Sequence, residues 1–479
     1  MRTNDDRIQV EIGADTHPRA KLTEREPRPF RVLVLGDFSA RADNRPPLRD
    51  RAVERVDLDG LDAVMARIGP ALQLSLDPDA SPELIAFAAL DDFHPDHLLT
   101  RAPTLARLRA LRVTVESQPL PATRTDASAA DRGGSLLDQI LEREPPLASR
   151  PELPPARAGD DLSEFIRRAV GPHVAREVDP HQRALVEQVD AVLAATLRVL
   201  LHHPEFQSLE ALWRGVDFFM RRCDADDAAI GLLDLGREEL LAGMVDVSSR
   251  RALLDRVSRE GESGAWSLVI AAYSFGSGDI ATLGHVAALA ADAGVPWLAA
   301  ADSTLGGAET FANTGDVDDW DISPLPAWVA LRREPAARSL GLALPRYLVR
   351  LPYGAENPVD ALSFEELEAG ASPHESFLWG HPAFPCALVA STPVERGQLA
   401  PSQGTIGHLP VHVIRGNAEA DALPCAEVLL TPRVVTHLLA LGLTPLASQR
   451  GGDAIRIARL QSIADPPTAL PIQPAEQDA

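Results

Sequence analysis

The sequence predicts an α/β protein with mixed sheets, and three observations support this prediction. Residues 29–38, PFRVLVLGDF, are a continuous apolar run of the kind found in strands buried on both faces. Short apolar runs at 229–233, 268–272 and 295–299 alternate with helical patterns, which favours parallel strands in a covered sheet. Apolar residues also recur with helical spacing between residues 186 and 201.

Composition excludes several classes of function. The 479 residues include 69 acidic and 46 basic side chains, a formal charge of −23 that repels nucleic acid and anionic membranes. The longest apolar stretch, 283–301, is interrupted by His285 and Asp292, so no membrane span is predicted. The first ten residues are polar and do not resemble a signal peptide. Three widely spaced cysteines indicate reduced thiols, and we expect a cytoplasmic protein.

The first 115 residues are predicted to form one compact mixed α/β unit. Residues 7–12, RIQVEI, alternate as a half-buried strand does, and the buried strand at 29–38 follows. A helix is expected at 58–68, with Leu61, Val64, Met65 and Ile68 on one face. Strands at 71–76 and 84–87 follow, and leucines after Pro95 favour a helix.

A connector and a larger α/β region complete the predicted organisation. Residues 116–134 have a linker composition, and 135–178 form an N-terminal helical region that begins with the amphipathic run SLLDQILER at 135–143. Residues 179–465 form the larger region, with helices around 186–201 and 209–219 and a further helix at 279–292. A proline-rich tail is predicted at 466–479.

One run of side chains has the composition of a metal site. DDFHPDH at 91–97 offers Asp91, Asp92, His94, Asp96 and His97 within seven residues. The favoured alternative is that Asp92 or His94 caps a helix beginning at Pro95, while Phe93 is anchored in the core. We expect no metal or cofactor.

Candidate catalytic residues are few. HHPEF at 202–206 suggests acid–base chemistry by His202, His203 and Glu205, but an inter-helix turn capped by His203 explains it better. GDVDDWD at 315–321 resembles a calcium loop loosely and is better explained as an acidic turn. No phosphate-binding loop, nucleophile elbow or H-E-x-x-H pair occurs, so an enzyme is not expected.

Residues 200–222, LLHHPEFQSLEALWRGVDFFMRR, resemble the signature of the large contractile-sheath subunit of the type VI secretion system. Colinear similarity continues through 271–307, 324–354, 377–384 and 439–446. The resemblance assigns a structural role to a set of signature residues. They are His203, Pro204, Glu205, Phe206, Leu209, Glu210, Trp213, Arg214, Gly215, Pro345, Arg346, Arg350, Pro352, Tyr353, Trp379 and Gly380.

The first 115 residues resemble a second family, the small sheath subunit, through residues 29–72 and 87–112. The chain is therefore similar to a fusion of both subunits. This resemblance implies two α/β domains with mixed sheets that pack as an intramolecular heterodimer.

The resemblance also implies partners. Sheath subunits of this family polymerise around an inner tube and drive secretion, so other sheath subunits, the inner-tube protein, the baseplate and a recycling AAA+ ATPase are expected partners. Ile8, Val10 and Ile12 correspond to the strand that the small subunit donates, although an ordinary edge strand is the alternative. Leu136, Leu137, Ile140 and Leu141 correspond to the helix that the ATPase grasps, the alternative being packing on the protein's own domain.

One departure from the family pattern favours a second hypothesis. The family's large subunit continues beyond the region similar to 439–446, and strands there accept the donated strand. A structural component of the sheath is the predicted function, and the alternative is an accessory adaptor that binds sheath subunits without extending the lattice. On this pattern we expect the protein alone to be a monomer or a small oligomer.

Overall fold

The structure is a computed structural model that describes the chain in segments. These are residues 30–41, 45–76, 81–117, 180–223, 228–258, 266–311, 320, 323, 325–368, 373–392, 403–415 and 420–472.

The segment before the connector forms four strands and three helices. They are β1 (Phe30–Gly36), β2 (Glu54–Val56), α1 (Leu61–Ile68), β3 (Ala71–Leu74), β4 (Glu83–Ala86), α2 (Pro95–Arg101) and α3 (Pro103–Ser117).

The segment after the connector forms the remaining described elements. The helices are α4 (Pro180–Leu201), α5 (Pro204–Met220), α6 (Arg237–Val245), α7 (Val247–Val257), α8 (Ile280–Ala293), α9 (Ser303–Gly306), α10 (Pro326–Arg332), α11 (Pro373–Ser376), α12 (Ala383–Ala390) and α13 (Pro432–Ala440). The strands are β5 (Ala228–Asp234), β6 (Leu268–Phe275), β7 (Trp297–Ala301), β8 (Leu340–Leu344), β9 (Tyr347–Leu348), β10 (Trp379–Gly380), β11 (Gly404–Ile406), β12 (Val413–Arg415), β13 (Ala420–Ala422), β14 (Thr444–Ser448) and β15 (Ile455–Ile457).

A nine-stranded mixed sheet is the centre of the fold. Its order is β11-β15-β14-β8-β7-β6-β1-β5-β2. The six strands from β14 to β5 run parallel, while β2, β15 and β11 at the two edges are antiparallel to their neighbours. The predicted mixed α/β class is therefore confirmed, and so is parallel pairing of the strands at 268–272 and 295–299.

Strand β1 lies between β5 and β6, although both come from the other segment of the chain. Val34 is in register with Leu232 on one side and with Ile270 on the other. All seven residues of β1 are buried. The prediction of a fully buried central strand is confirmed, because neighbours on both sides leave no edge and helices cover both faces.

The position of β1 within the large sheet determines whether the two segments form separate domains. Two α/β domains packed as an intramolecular heterodimer are not confirmed, since one sheet takes strands from both segments. The physical reason is that a strand as apolar as β1 is most stable with both its edges hydrogen-bonded and both its faces covered.

Helices cover the sheet on both sides. Helices α1 to α5 and α12 contribute buried side chains to one core, which also contains Val32 and Val34. Helices α6 to α10 and α13 contribute to the second core, which contains Leu33 and Leu35. Alternate residues of β1 therefore belong to opposite cores, as the period of two requires.

Several predicted boundaries differ from those in the structure. Pro103 begins a second helix, so the leucines after Pro95 are divided between α2 and α3. Helix α3 continues to Ser117, two residues into the predicted linker. Leu470 and Ile472 are buried, so the predicted tail begins with packed residues. Within the described residues, no helix is both long and apolar enough to cross a bilayer.

Candidate functional site

The candidate site is the junction between residues 30–117 and 180–472, where β1 enters the sheet. Besides the strand pairing, Leu235 donates its N–H to the carbonyl of Gly36 at 2.8 Å. Ser267 donates its N–H to the carbonyl of Arg31, also at 2.8 Å. Backbone hydrogen bonds of this kind do not depend on side-chain identity, so they join the two segments whatever their surfaces carry.

An ionic network holds the loop after β1 against the end of β5 and the first turn of α6. Arg45 Nε lies 3.1 Å from Asp234 Oδ2, and Arg45 also pairs with Asp37. Arg51 Nη1 donates to Glu239 Oε2 at 2.8 Å and to the Asp234 carbonyl at 2.8 Å. Both guanidinium side chains are only 6% exposed, whereas their carboxylate partners are 20–47% exposed, so salt screens these pairs in part.

Aromatic side chains form a second contact across the junction. The ring of Phe206, in the first turn of α5, lies 5.6 Å from Phe93 and 6.0 Å from Phe87. Trp213 packs edge-on against Phe38 at 5.1 Å and donates its indole N–H to the Phe38 carbonyl at 3.2 Å. The signature residues Phe206 and Trp213 therefore bind residues from before the connector.

The two histidine-containing turns are helix starts. His203 caps α5 by accepting the Glu205 N–H on Nδ1 at 3.3 Å, and Pro204 is the first helical residue. His94 caps α2 in the same way, accepting the Asp96 N–H at 3.3 Å. Both capping interpretations are confirmed.

Two other carboxylates of the 91–97 run accept backbone hydrogen bonds, while Asp91 and His97 are exposed. Asp92 accepts the N–H groups of Ala88 and Ala89 at 2.7 and 3.0 Å. Asp96 accepts two backbone N–H groups, those of Asp360 and Ala361. In the described part of the chain, no group of three or more histidine, cysteine or carboxylate side chains is arranged to hold a metal ion.

A buried charge cluster lies beneath the junction. Arg350 donates two hydrogen bonds to Glu366, at 2.8 and 3.2 Å, and one to Glu210 at 3.0 Å. Glu210 also accepts from Arg214 at 2.7 Å, and Glu366 accepts the Tyr353 N–H at 2.7 Å. Both carboxylate side chains are fully buried. These contacts fix α5 to the segment around residues 350–366.

Electrostatics keeps Glu366 and Arg350 ionised. Burial raises the pKa of Glu366, but the Arg350 charge, the nearby His202 and the hydrogen bonds from Arg350 and Tyr353 together outweigh it, so the net pKa is lowered. Burial opposes the charge of Arg350, yet Glu210 and Glu366 raise its pKa well above the usual value. Burial raises the pKa of Tyr353 to about 12, and the Arg350 guanidinium lies 4.3 Å from its ring. The ring of His94 meets the same tyrosine edge-on at 5.0 Å, which links the cluster to α2.

Most of the other signature residues are buried or form ion pairs. A Cβ on Gly215 would lie 2.4 Å from the Phe384 ring, and one on Gly380 would lie 2.4 Å from Val349. Arg346 donates two hydrogen bonds to Glu427. Burial raises the pKa of Glu427, but the hydrogen bonds from His374 and Arg346 outweigh burial and lower this pKa to about 2. Leu209, Pro345 and Pro352 are buried, whereas Glu205 is exposed. Trp379 donates its indole N–H to the His374 carbonyl.

Sequence reasoning missed three carboxylates of the site, Glu366, Asp234 and Glu239. A signal for Glu366 was present, because Leu362, Phe364 and Glu366 alternate and all three are buried. The period of two in LSFEE places the glutamate on the inward side with the two apolar residues. For Asp234 and Glu239 the sequence alone offered no signal, since their partners Arg45 and Arg51 lie more than 180 residues away.

His381, next to the signature pair Trp379–Gly380, has both ring nitrogens engaged. Nε2 lies 3.1 Å from the Tyr273 carbonyl and therefore carries the proton, while Nδ1 accepts the Ala383 N–H at 3.3 Å. A second proton on Nδ1 would face the N–H of Ala383. Burial accordingly lowers the pKa of His381 from 6.5 to about 4.

We expect His381 to make the protein acid-sensitive. Between pH 6.5 and about 4 the unfolded chain binds a proton here that the folded chain does not, so stability falls as pH falls through this window. The free energy of unfolding, measured with urea, should fall between pH 7 and pH 5 in both proteins. The fall should be about 1–2 kcal/mol larger in the wild type than in His381→Gln. An equal pH dependence in both proteins would contradict this assignment.

Some predicted residues lie outside the described part of the chain. These are the donated strand with Ile8, Val10 and Ile12, the amphipathic run with Leu136, Leu137, Ile140 and Leu141, and most of the acidic turn at 315–321. Both partner-binding assignments stay predictions.

Comparison with known proteins gives two family matches in one polypeptide. The VipB model, described as EvpB/VC_A0108, tail sheath N-terminal domain, matches residues 183–464, more than half of the chain. A second model, described as Type VI secretion system, VipA, VC_A0107 or Hcp2, matches residues 1–145. The chain is also 26% identical over 306 residues to the type VI secretion system sheath protein TssC1 of Pseudomonas aeruginosa. That similarity covers 59% of this chain and 61% of the length of the relative.

Proposed function

Because this chain belongs to the VipB family of tail sheath N-terminal domains, we propose that it is a structural component of a type VI secretion contractile sheath. On this proposal it combines in one polypeptide the roles of the small and large subunits and acts in the cytoplasm. Other sheath subunits are its main partners, and an inner-tube protein and a baseplate are further expected partners.

The observation that carries this proposal is the place of β1. The VipA-like segment supplies a central strand to the sheet of the VipB-like segment, so the two form one structural unit. A unit that presents surfaces of both families is suited to heterologous contacts, and heterologous contacts that do not close build a filament.

A structural rather than catalytic role is supported by the signature residues. His203, Trp213 and Arg350 cap a helix, pack across the junction and neutralise buried carboxylates. Side chains with such partners are held in place and are poor candidates for proton transfer or nucleophilic attack.

Co-assembly tests the proposal directly. The purified full chain, mixed with complete sheath subunits and imaged by negative-stain electron microscopy, should enter the tubules along their length, as shown by gold labelling of a tag. Labelling confined to tubule ends would instead support an adaptor that caps the lattice. Unlabelled tubules would contradict both roles.

Two segments are proposed to bind partners. We expect Ile8, Val10 and Ile12 to pair with a neighbouring subunit as a donated strand, because they alternate with polar residues. We expect Leu136, Leu137, Ile140 and Leu141 to enter a groove of a recycling AAA+ ATPase.

A further inference from the structure

Helix α4 exposes an uncharged stripe on the side opposite the core. Ala184, Gln188, Ala191, Val192, Ala195 and Val199 are all exposed, and their spacing places them on one face. Val192 is 37% exposed and Val199 is 49% exposed. We call this set the α4 stripe.

The composition of the α4 stripe is unusual for a surface that faces water. The exposed face of a helix normally carries charged residues, yet those of α4, such as Arg183, Glu187 and Arg198, lie beside the stripe and not within it. Within the described part of the chain, nothing covers it. Small side chains along one helix face allow a second helix to approach closely. The larger side chains of the second helix then fit between the small side chains of the first.

Both ends of the 118–179 connector lie near one end of this helix. Gln182, in the first turn of α4, donates to the carbonyls of Val115 and Glu116 at 2.8 and 2.9 Å. The chain therefore leaves α3 and enters α4 at nearly the same point. The α4 stripe extends only ~22 Å from there, at 1.5 Å per residue. Residues 118–134 alone can span ~56 Å, at 3.3 Å per residue.

We propose that residues 135–143 of this connector dock as a helix on the α4 stripe of the same chain. Leu136, Leu137, Ile140 and Leu141 form one apolar face that fits a stripe of alanines and valines, while Asp138, Glu142 and Arg143 remain in water. The tether holds this segment near the stripe at roughly millimolar effective concentration, far above the concentration of any other copy in dilute solution. This docking uses the side chains that we also expect to bind an ATPase, so the two contacts compete.

Hydrogen–deuterium exchange on the intact chain tests the docking. Amides of 135–143 should exchange about tenfold more slowly than in the isolated peptide, at every protein concentration. Exchange at the rate of the peptide would overturn the proposal. Protection that disappears on dilution would also overturn it, because a second copy would then be the occupant.

Two pairs of variants locate the contact. Ala195→Arg, in the stripe, should abolish the protection of 135–143, whereas Ala110→Arg, at an exposed position on α3, should leave it unchanged. Leu137→Asp should abolish it, and Gln139→Asp, on the polar face of the segment, should not. Equal protection in Ala195→Arg and the wild type would exclude the α4 stripe as the docking surface. Exchange in β1 reports whether each variant is folded.

Discussion

Cleavage of the chain within residues 118–134, at an engineered protease site, should leave both fragments in one particle that elutes at the volume of the intact protein. Separation would require extracting β1 from between β5 and β6 and exposing both cores. Dissociation should therefore require unfolding, and the two fragments should still co-elute at micromolar concentration in 1 M salt. Salt screens only the Arg45 and Arg51 pairs, not the backbone hydrogen bonds or the apolar contacts.

Production of residues 180–479 without the first segment is the matching control. This fragment lacks the strand between β5 and β6 and the α1–α3 side of one core, so we expect it to aggregate. Co-expression with residues 1–117 should restore a soluble complex. A soluble, folded 180–479 fragment, or clean separation of the cleaved halves, would show that the segments are independent domains.

Replacing Arg350 with methionine should lower the free energy of unfolding by about 3–5 kcal/mol, since it leaves the buried Glu366 without its arginine and Glu210 with Arg214 alone. The variant should also respond differently to pH. Without Arg350, burial raises the pKa of Glu366, so the folded variant binds protons more readily than the unfolded chain. The difference in the free energy of unfolding between Arg350→Met and the wild type should therefore shrink as the pH is lowered from 7 towards 5.

Arg221→Met is the matched control for this substitution. Arg221 pairs with Asp217 one helical turn away, but its side chain is 62% exposed. Loss of such a pair should change stability by less than about 1 kcal/mol, with little pH dependence. Chemical denaturation followed by circular dichroism measures both variants. Similar losses for Arg350→Met and Arg221→Met would contradict the structural role of the buried cluster.

The sequence by itself determined the local structure and the family. The apolar run at 29–38 predicted a central buried strand, and His94 and His203 before proline predicted two helix caps. These predictions succeeded because burial pattern, capping and proline geometry act between residues that are close in the chain. The signature around residues 200–222 led to the family that the comparisons then showed.

Only the tertiary structure decided how the two segments combine. The sequence predicted two units joined by a linker, but β1 pairs with strands about 200 residues away. Arg45 and Arg51 bind carboxylates at the end of β5 and in the first turn of α6. The apolar pattern of a strand predicts that both of its faces are covered. It does not predict which strands lie on either side of that strand. Backbone hydrogen bonds are the same for every sequence, so pairing partners follow from the packing of the whole chain.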